Sequence, residues 1–305
     1  HAVEEDDDED GDGTLFGQHV PNPYFDVRAN WDQVGAWEWP LGATLTLEID
    51  DPATPNEPDF STTQVANLHP EETRSYAEFN VGESIDIQPG FLIRMTDGFS
   101  TKTHTVTPLA ITNIDIASDV VTGVAAADSS VDIWTCDEFG CYNDDPNPVA
   151  DENGIWIYDF TGIYDIVLGT WIDSSQYDED GDSTMFGQHV PNPRIKVFLE
   201  ENKIDGFEWV DGTPIVITVD DPLTTQSPDF TSTQIANVIS DDIEQADVSF
   251  DPGGLTLFPG MLVTMTDGST TKTHIIPDCG WTSIDYDNDV ISGWGEQGLN
   301  TVVWV

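Results

Sequence analysis

Positive charge is nearly missing from this chain: 8 Lys and Arg stand against 58 Asp and Glu in 305 residues, a formal net charge of −50. Such a surface repels phosphate backbones and anionic headgroups, which excludes nucleic acid as a partner and argues against membrane association. Apolar runs long enough to span a bilayer are also missing, which argues against membrane insertion. Sustained helical periodicity is missing too, as are the G-x-S-x-G, H-E-x-x-H and phosphate-loop patterns of common catalytic sites, so the chain reads as a non-enzyme. Cysteine is scarce, with three in all. Cys136 and Cys141 lie between strand-like segments with a short gap between them, which suits a small disulfide loop made in an oxidising compartment. Cys279 is left over and is expected as a buried thiol, with intermolecular pairing as the alternative. The first residue is His1 and not Met, which reads as the product of a secreted precursor whose signal peptide has been removed.

What is present argues for a folded, β-rich chain. The 10 Trp and 14 Phe, with Val and Ile in alternating patterns, set it apart from disordered acidic tails. Of the acidic residues 40 are Asp, a poor helix former and a good turn residue and cation ligand. With so few Lys and Arg, divalent cations are the available counter-charge.

The strongest signal is a repeat at a spacing of 170 residues. Residues 8–23, D-E-D-G-D-G-T-L-F-G-Q-H-V-P-N-P, return at 178–193 as D-E-D-G-D-S-T-M-F-G-Q-H-V-P-N-P. Residues 50–67 return at 220–237, and M-T-D-G-F-S-T-K-T-H at 95–104 returns as M-T-D-G-S-T-T-K-T-H at 265–274. Asp119, Gly123 and Trp134 meet Asp289, Gly293 and Trp304 at the same offset. Residues 136–170 have no second copy, so the chain holds one full period and most of another.

Each period divides into two β modules. Thr44–Asp50 alternates strictly, and Phe91–Thr96 and Thr101–Thr107 flank an Asp97-Gly98 turn as a hairpin. Short strands at roughly ten-residue spacing then fill 109–175, the pattern of a small sandwich. The expected organisation is an acidic loop plus β-sandwich module at 1–108, a second β module at 109–177, a second copy of the first at 178–278, and an incomplete module at 279–305. The fold class is all-β, a tandem sandwich with a two-module repeat.

The run V-V-T-G-V-A-A-A-D-S-S-V-D-I-W, followed by A-D-E-N-G-I-W-I-Y-D-F, resembles the bacterial Ig-like domains found in tandem in large surface proteins and adhesins. The match covers about 109–170. It implies Ig-like sandwiches, display outside the cell or on its surface, and a structural or adhesive role.

One motif carries chemistry. In D-x-D-G-D-x-T, Asp8, Asp10 and Asp12 recur as Asp178, Asp180 and Asp182, and alternating carboxylates in a tight turn suit a hard, oxygen-seeking ion such as Ca²⁺. Gly13 stands where an EF-hand loop has its turning glycine, and Thr14, with Thr184 as its counterpart, is placed to offer a backbone carbonyl. The twelfth position, however, is His19 or His189 where an EF-hand has its bidentate Glu, so an EF-hand is excluded. Further ligands are expected from Asp50 and Asp51, from Asp220 and Asp221, or from Asp59 and Asp229. His19, His104, His189 and His274 read as loop histidines bonded to backbone, and Trp31, Trp37, Trp39 and Trp209 as core residues with a sugar-stacking platform as the alternative.

The leading expectation is a structural subunit of a calcium-stabilised extracellular filament or sheath. It would polymerise head-to-tail with other copies of itself, its incomplete last module completed by a neighbour. The alternative is a calcium-dependent adhesin or carbohydrate-binding segment, with glycans or other surface proteins as partners.

Overall fold

Alternating burial builds the strands of this all-β chain. In Thr44–Asp50 every second side chain is buried, and Leu45, Leu47 and Ile49 are fully so. Pro214–Asp220 repeats the pattern with Ile215, Ile217 and Val219. The computed structural model describes the backbone of 2–5 and 13–16, and residues 20–70, 72–137, 140–143, 147–238, 246–286 and 288–298. Its one short helix there is a single 3-10 turn, Ala29–Trp31, and no helix is long and apolar enough to cross a membrane. The chain divides into two compact units, His1–Gln188 and His189–Val305.

In the first unit, one sheet of four strands runs in the order Thr101–Thr105, Leu92–Thr96, Thr44–Asp50, Phe60–Val65. It packs over the strands Tyr24–Arg28, Gln33–Trp37 and Ser75–Asn80. Between them sits a core that includes Phe25, Val34, Trp39, Leu47, Phe79, Ile93 and Met95. Burying each such side chain stabilises the fold by roughly 1.5–3 kcal/mol. A three-stranded sheet, Ala110–Asp115, Val120–Val124, Ile155–Asp159, forms one face of the second module. Val121, Trp156 and Phe160 are buried there, and a Cβ added at Gly123 would overlap the Trp156 ring and the Ala110 carbonyl.

Eight further strands, drawn from both modules and from the start of the second period, share a single sheet. Its order is Gly140–Tyr142, Asp132–Asp137, Trp171–Tyr177, Ser183–His189, Tyr24–Arg28, Gln33–Trp37, Ser75–Asn80, Asn67–Leu68. Pairing is antiparallel within each half: Asp132–Asp137 pairs with Gly140–Tyr142 and Trp171–Tyr177, and Gln33–Trp37 with Tyr24–Arg28 and Ser75–Asn80. The halves meet where Ser183, Thr184 and Met185 pair in parallel with Asp26, Val27 and Arg28. The opening strand of the second period is therefore built into the sheet of the first. Sequence periodicity had placed it with the module that follows.

The second unit repeats the first module strand for strand, with Ala246–Phe250 moved by one residue against the 170-residue offset, since Val34↔Phe79 recurs as Ile204↔Phe250. Thr46↔Thr96 and Leu47↔Met95 recur as Val216↔Thr266 and Ile217↔Met265. Its other sheet runs Arg194–Phe198, Lys203–Trp209, Ala246–Phe250, Asn237–Val238. Left-handed residues recur as well, Asp32 with Asn202, Glu38 with Glu208 and Asp119 with Asp289. Asp32 Oδ1 accepts the Ile87 N–H at 2.6 Å, and Asn202 Oδ1 accepts the Leu257 N–H at 2.8 Å. Asp and Asn tolerate this backbone region and fasten the same loop through the same oxygen.

Cys136 and Cys141 face each other across paired strands and form a disulfide. Cys279 is exposed, not buried. It lies just before Gly280–Asp285, which pairs only with Val290–Trp294 among the described residues. Trp281 and Trp294 of that hairpin are about half exposed (57% and 50%).

Candidate metal centre

The acidic turn of the second period folds on its own side chains. Asp178 Oδ1 accepts the N–H groups of Asp180 at 3.3 Å and Asp182 at 3.0 Å, and the Asp178 N–H donates to the Asp182 carbonyl at 2.9 Å. Such side-chain-to-backbone closure is what Asp offers a turn. Gly181, with φ of 93°, supplies the left-handed step. The turning glycine is thus the fourth residue of the motif; the sixth, Ser183, already begins a strand, which corrects the EF-hand-like placement of Gly13. In the first period the backbone of Gly13–Phe16 is likewise a strand. Asp8, Asp10 and Asp12, with His19, lie outside the described residues, and for Thr14 only the backbone is described.

Carboxylate oxygens of Asp178, Asp180 and Asp182 all lie within 4.8 Å of one another, the one such group of three or more donors among the described residues. Two of the three carboxylates are held by side chains from Thr101–Thr105. Lys102 Nζ reaches Asp180 Oδ2 at 3.0 Å and its carbonyl at 2.8 Å, and this ammonium holds the Asp180 carboxyl below the usual range. His104 Nδ1 lies 2.8 Å from Asp178 Oδ2, and its Nε2 lies 2.9 Å from Thr184 Oγ1.

Asp182 differs from both. It is completely buried. Its Oδ1 accepts the Phe25 N–H at 2.9 Å, while its Oδ2 is buried with no hydrogen-bond partner among the described residues. Burial pushes its pKa up to about 7, against the opposing pull of the Phe25 amide and Lys102. A buried, unpartnered carboxylate oxygen beside two further carboxylates calls for either a proton or a cation. Hard-cation coordination by several oxygens fits this donor set.

The other sequence-selected acids sit elsewhere. Asp51 accepts the Ala53 N–H at 2.9 Å, and its own N–H donates to Asp59 Oδ2 at 2.8 Å; Asp221 and Asp229 repeat the arrangement. These pairs fasten a loop. Asp50 and Asp220 each keep one buried oxygen without a partner, but neither belongs to the three-donor group. Burial, with the carboxylates of Glu57, Asp59 and Asp51, raises the Asp50 pKa. The Thr184 hydroxyl is committed to His104 and to the Thr107 N–H, which donates to it at 2.9 Å.

His104 was read from sequence as a loop histidine on backbone partners. It is instead a buried strand residue holding two side chains of the next period. The signal was in the repeat, since K-T-H returns unchanged at 272–274. Trp39 and Trp209 are core residues, whereas Trp31 and Trp37 are half-buried.

No protein-family model and no curated protein match this chain. Among solved structures it is similar to a tetra-tandem repeat from the extending region of a large adhesion protein. That match has 12% identity over 87% of this chain and 78% of the other, with a TM-score of 0.22. A 1.5-MDa bacterial ice-binding adhesin matches at 9% identity over 84% and 96%, with a TM-score of 0.18. A Group B Streptococcus pullulanase matches at 11% over 60% and 25%, with a TM-score of 0.22. Likenesses this weak carry no inference about what the chain does.

Proposed function

We propose that the chain is a structural segment of an extracellular or surface-displayed repeat protein, in which a cation-binding acidic turn clasps each period to the one before. The observation that carries this reading is Asp182, buried at the boundary between periods with one carboxylate oxygen unpartnered. The sheet that continues across the boundary gives a bound cation something to brace. The role asked of the chain is mechanical, and calcium is the ion the oxygen-only donor set favours. Millimolar calcium outside cells matches the weak affinity of extracellular modules, about 10⁻⁴–10⁻³ M. The acidic surface and the Cys136–Cys141 disulfide support an oxidising, extracellular setting.

Calcium titration of the full chain by calorimetry, with melting in calcium and in EGTA, tests the reading. Saturable binding and a melting transition lowered by EGTA are expected. No binding at millimolar calcium, with unchanged melting, overturns it.

An adhesive reading has one observation of its own. Trp37 and Tyr76 stack at 4.3 Å, with His69 against both and the Arg74 guanidinium over the Trp37 ring. The second period has Phe207 in place of Trp37, and Asp247, which pairs with Asn237 as Tyr76 does with Asn67, in place of Tyr76, so the stacked pair is peculiar to the first. Glycan-array binding lost on Trp37→Ala supports this reading, and an empty array removes it.

A further inference from the structure

The clasp that joins the two periods has a second copy of its receiving half. In the first unit, Tyr24–Arg28 has strands on both sides, Gln33–Trp37 and the incoming Ser183–His189. Its counterpart Arg194–Phe198 has only Lys203–Trp209 beside it among the described residues. Burial records the difference: Phe25, Asp26 and Val27 are buried, while Ile195 and Val197 are half-buried and Lys196 is exposed. Lys272 and His274 stand where Lys102 and His104 grip the acidic turn. Among the described residues Lys272 reaches only Asn192 Oδ1, at 3.3 Å, and the half-buried His274 ring makes no hydrogen bond. An open strand edge of this kind pairs readily with an added strand.

We infer that this edge receives the leading hairpin of a second copy of the chain. The backbone of Ala2–Glu5 and Gly13–Phe16 already forms a two-stranded antiparallel sheet that pairs with no other strand among the described residues. By the 170-residue offset it corresponds to 172–175 and 183–186, segments of the hairpin that enters the first unit's sheet.

Charge favours the match. Four of the eight basic residues, Arg194, Lys196, Lys203 and Lys272, lie on these strands, although Arg194 also pairs with Glu208 and Lys203 with Asp205. At the first unit's receiving strand, Tyr24 and Asp26 stand where Arg194 and Lys196 do. The segment D-E-D-G-D-G-T preceding and opening Gly13–Phe16 is the acidic complement.

In the first unit's clasp, Lys102, His104 and the Phe25 amide meet Asp180, Asp178 with Thr184, and Asp182; by the 170-residue offset the sequence counterparts are Asp10, Asp8 with Thr14, and Asp12 on one side and Lys272, His274 and Ile195 on the other. One contact does not transfer. Pro277 replaces Thr107 and has no N–H for Thr14. Because donor and receiving edge are different surfaces, the contact is head-to-tail and propagates into a chain of copies.

The inference deepens the structural reading above, resting on its clasp as the template. Sedimentation of the full chain in calcium tests it with two variants, Lys272→Glu with His274→Ala, and Asp8→Asn with Asp10→Asn and Asp12→Asn. Wild type is expected to form oligomers that grow with concentration, and each variant alone to associate at least about tenfold more weakly. An equimolar mixture of the two should stop at one-to-one pairs, since only one competent edge and one competent hairpin remain. In a Cys279→Ser background, chains carrying Thr14→Cys and chains carrying Val197→Cys should form a mixed disulfide, following the Thr184↔Val27 register. This cross-link does not depend on how well the charge variants fold. Monomeric wild type at about 100 µM, in the concentration range where weak self-association shows, overturns the docking even if EGTA lowers the melting transition, and leaves the intrachain clasp standing. A mixed disulfide with EGTA-insensitive melting supports the docking and removes the cation from the clasp.

Discussion

Replacing Asp182 by Asn should change the sign of its effect with calcium. The substitution keeps an oxygen to accept the Phe25 N–H and removes the charge at the unpartnered position. In EGTA at pH 8, above the pKa of about 7, the wild-type carboxylate is ionised and buried without a partner. Asn relieves that penalty, so Asp182→Asn is neutral or stabilising there. Calcium about ten- to a hundredfold above its dissociation constant stabilises the wild type by roughly 1.4–2.7 kcal/mol, and Asp182→Asn forfeits this. For a unit of this size that is a loss of about 3–10 °C. The transition to follow is that of His1–Gln188, since the two compact units need not melt together. Calorimetric melting of both proteins, with calcium and with EGTA, reads the effect. A destabilisation of equal size in both buffers refutes the reasoning, because it makes Asp182 a structural acid whose value owes nothing to a cation.

The remaining predictions concern the same boundary and the cores on either side. Calcium binding should release a proton from Asp182, so affinity rises about tenfold per pH unit below pH 7 and flattens above it. Calorimetry in buffers of different ionisation enthalpy counts that proton, and pH-independent affinity contradicts it. Without metal the sign is opposite: the raised folded pKa gives a contribution fully present below the unfolded carboxylate pKa and lost as pH rises toward 7. Chemical denaturation in EGTA across this window should show it. His104→Ala should cost about 2–3 kcal/mol by leaving Asp178 and Thr184 without their partner, while His274→Ala should be near neutral in a dilute monomer; equal losses in urea denaturation contradict the assignment. Gly123→Ala should destabilise the first unit by about 1–3 kcal/mol, since its Cβ meets the Trp156 ring and the Ala110 carbonyl, and unchanged urea unfolding refutes that packing.

Much of the fold was legible because its signals are local. Strict alternation marked Thr44–Asp50, and Asp97-Gly98 marked the turn between Leu92–Thr96 and Thr101–Thr105. The repeat was legible because its register is kept to the residue. The continuous sheet was not. Ser183 and Asp26 are 157 residues apart, and parallel pairing over that distance leaves no periodicity in either segment. His104 was misread for a related reason: its partners belong to the next period, so nothing beside it in sequence announces them. The triad Asp178, Asp180 and Asp182 was visible as a motif, but what distinguishes Asp182 is burial under a distant strand. Cys279 was expected inside on residue type and is instead exposed.

The central claim, that a cation at the acidic turn clasps one period to the next, is tested most directly by hydrogen exchange of the full chain in calcium and in EGTA. The amides of 24–28, 104–107 and 178–186 should lose protection together on chelation, while those of Thr44–Asp50 keep theirs. Equal protection of all these segments in both buffers would contradict the account.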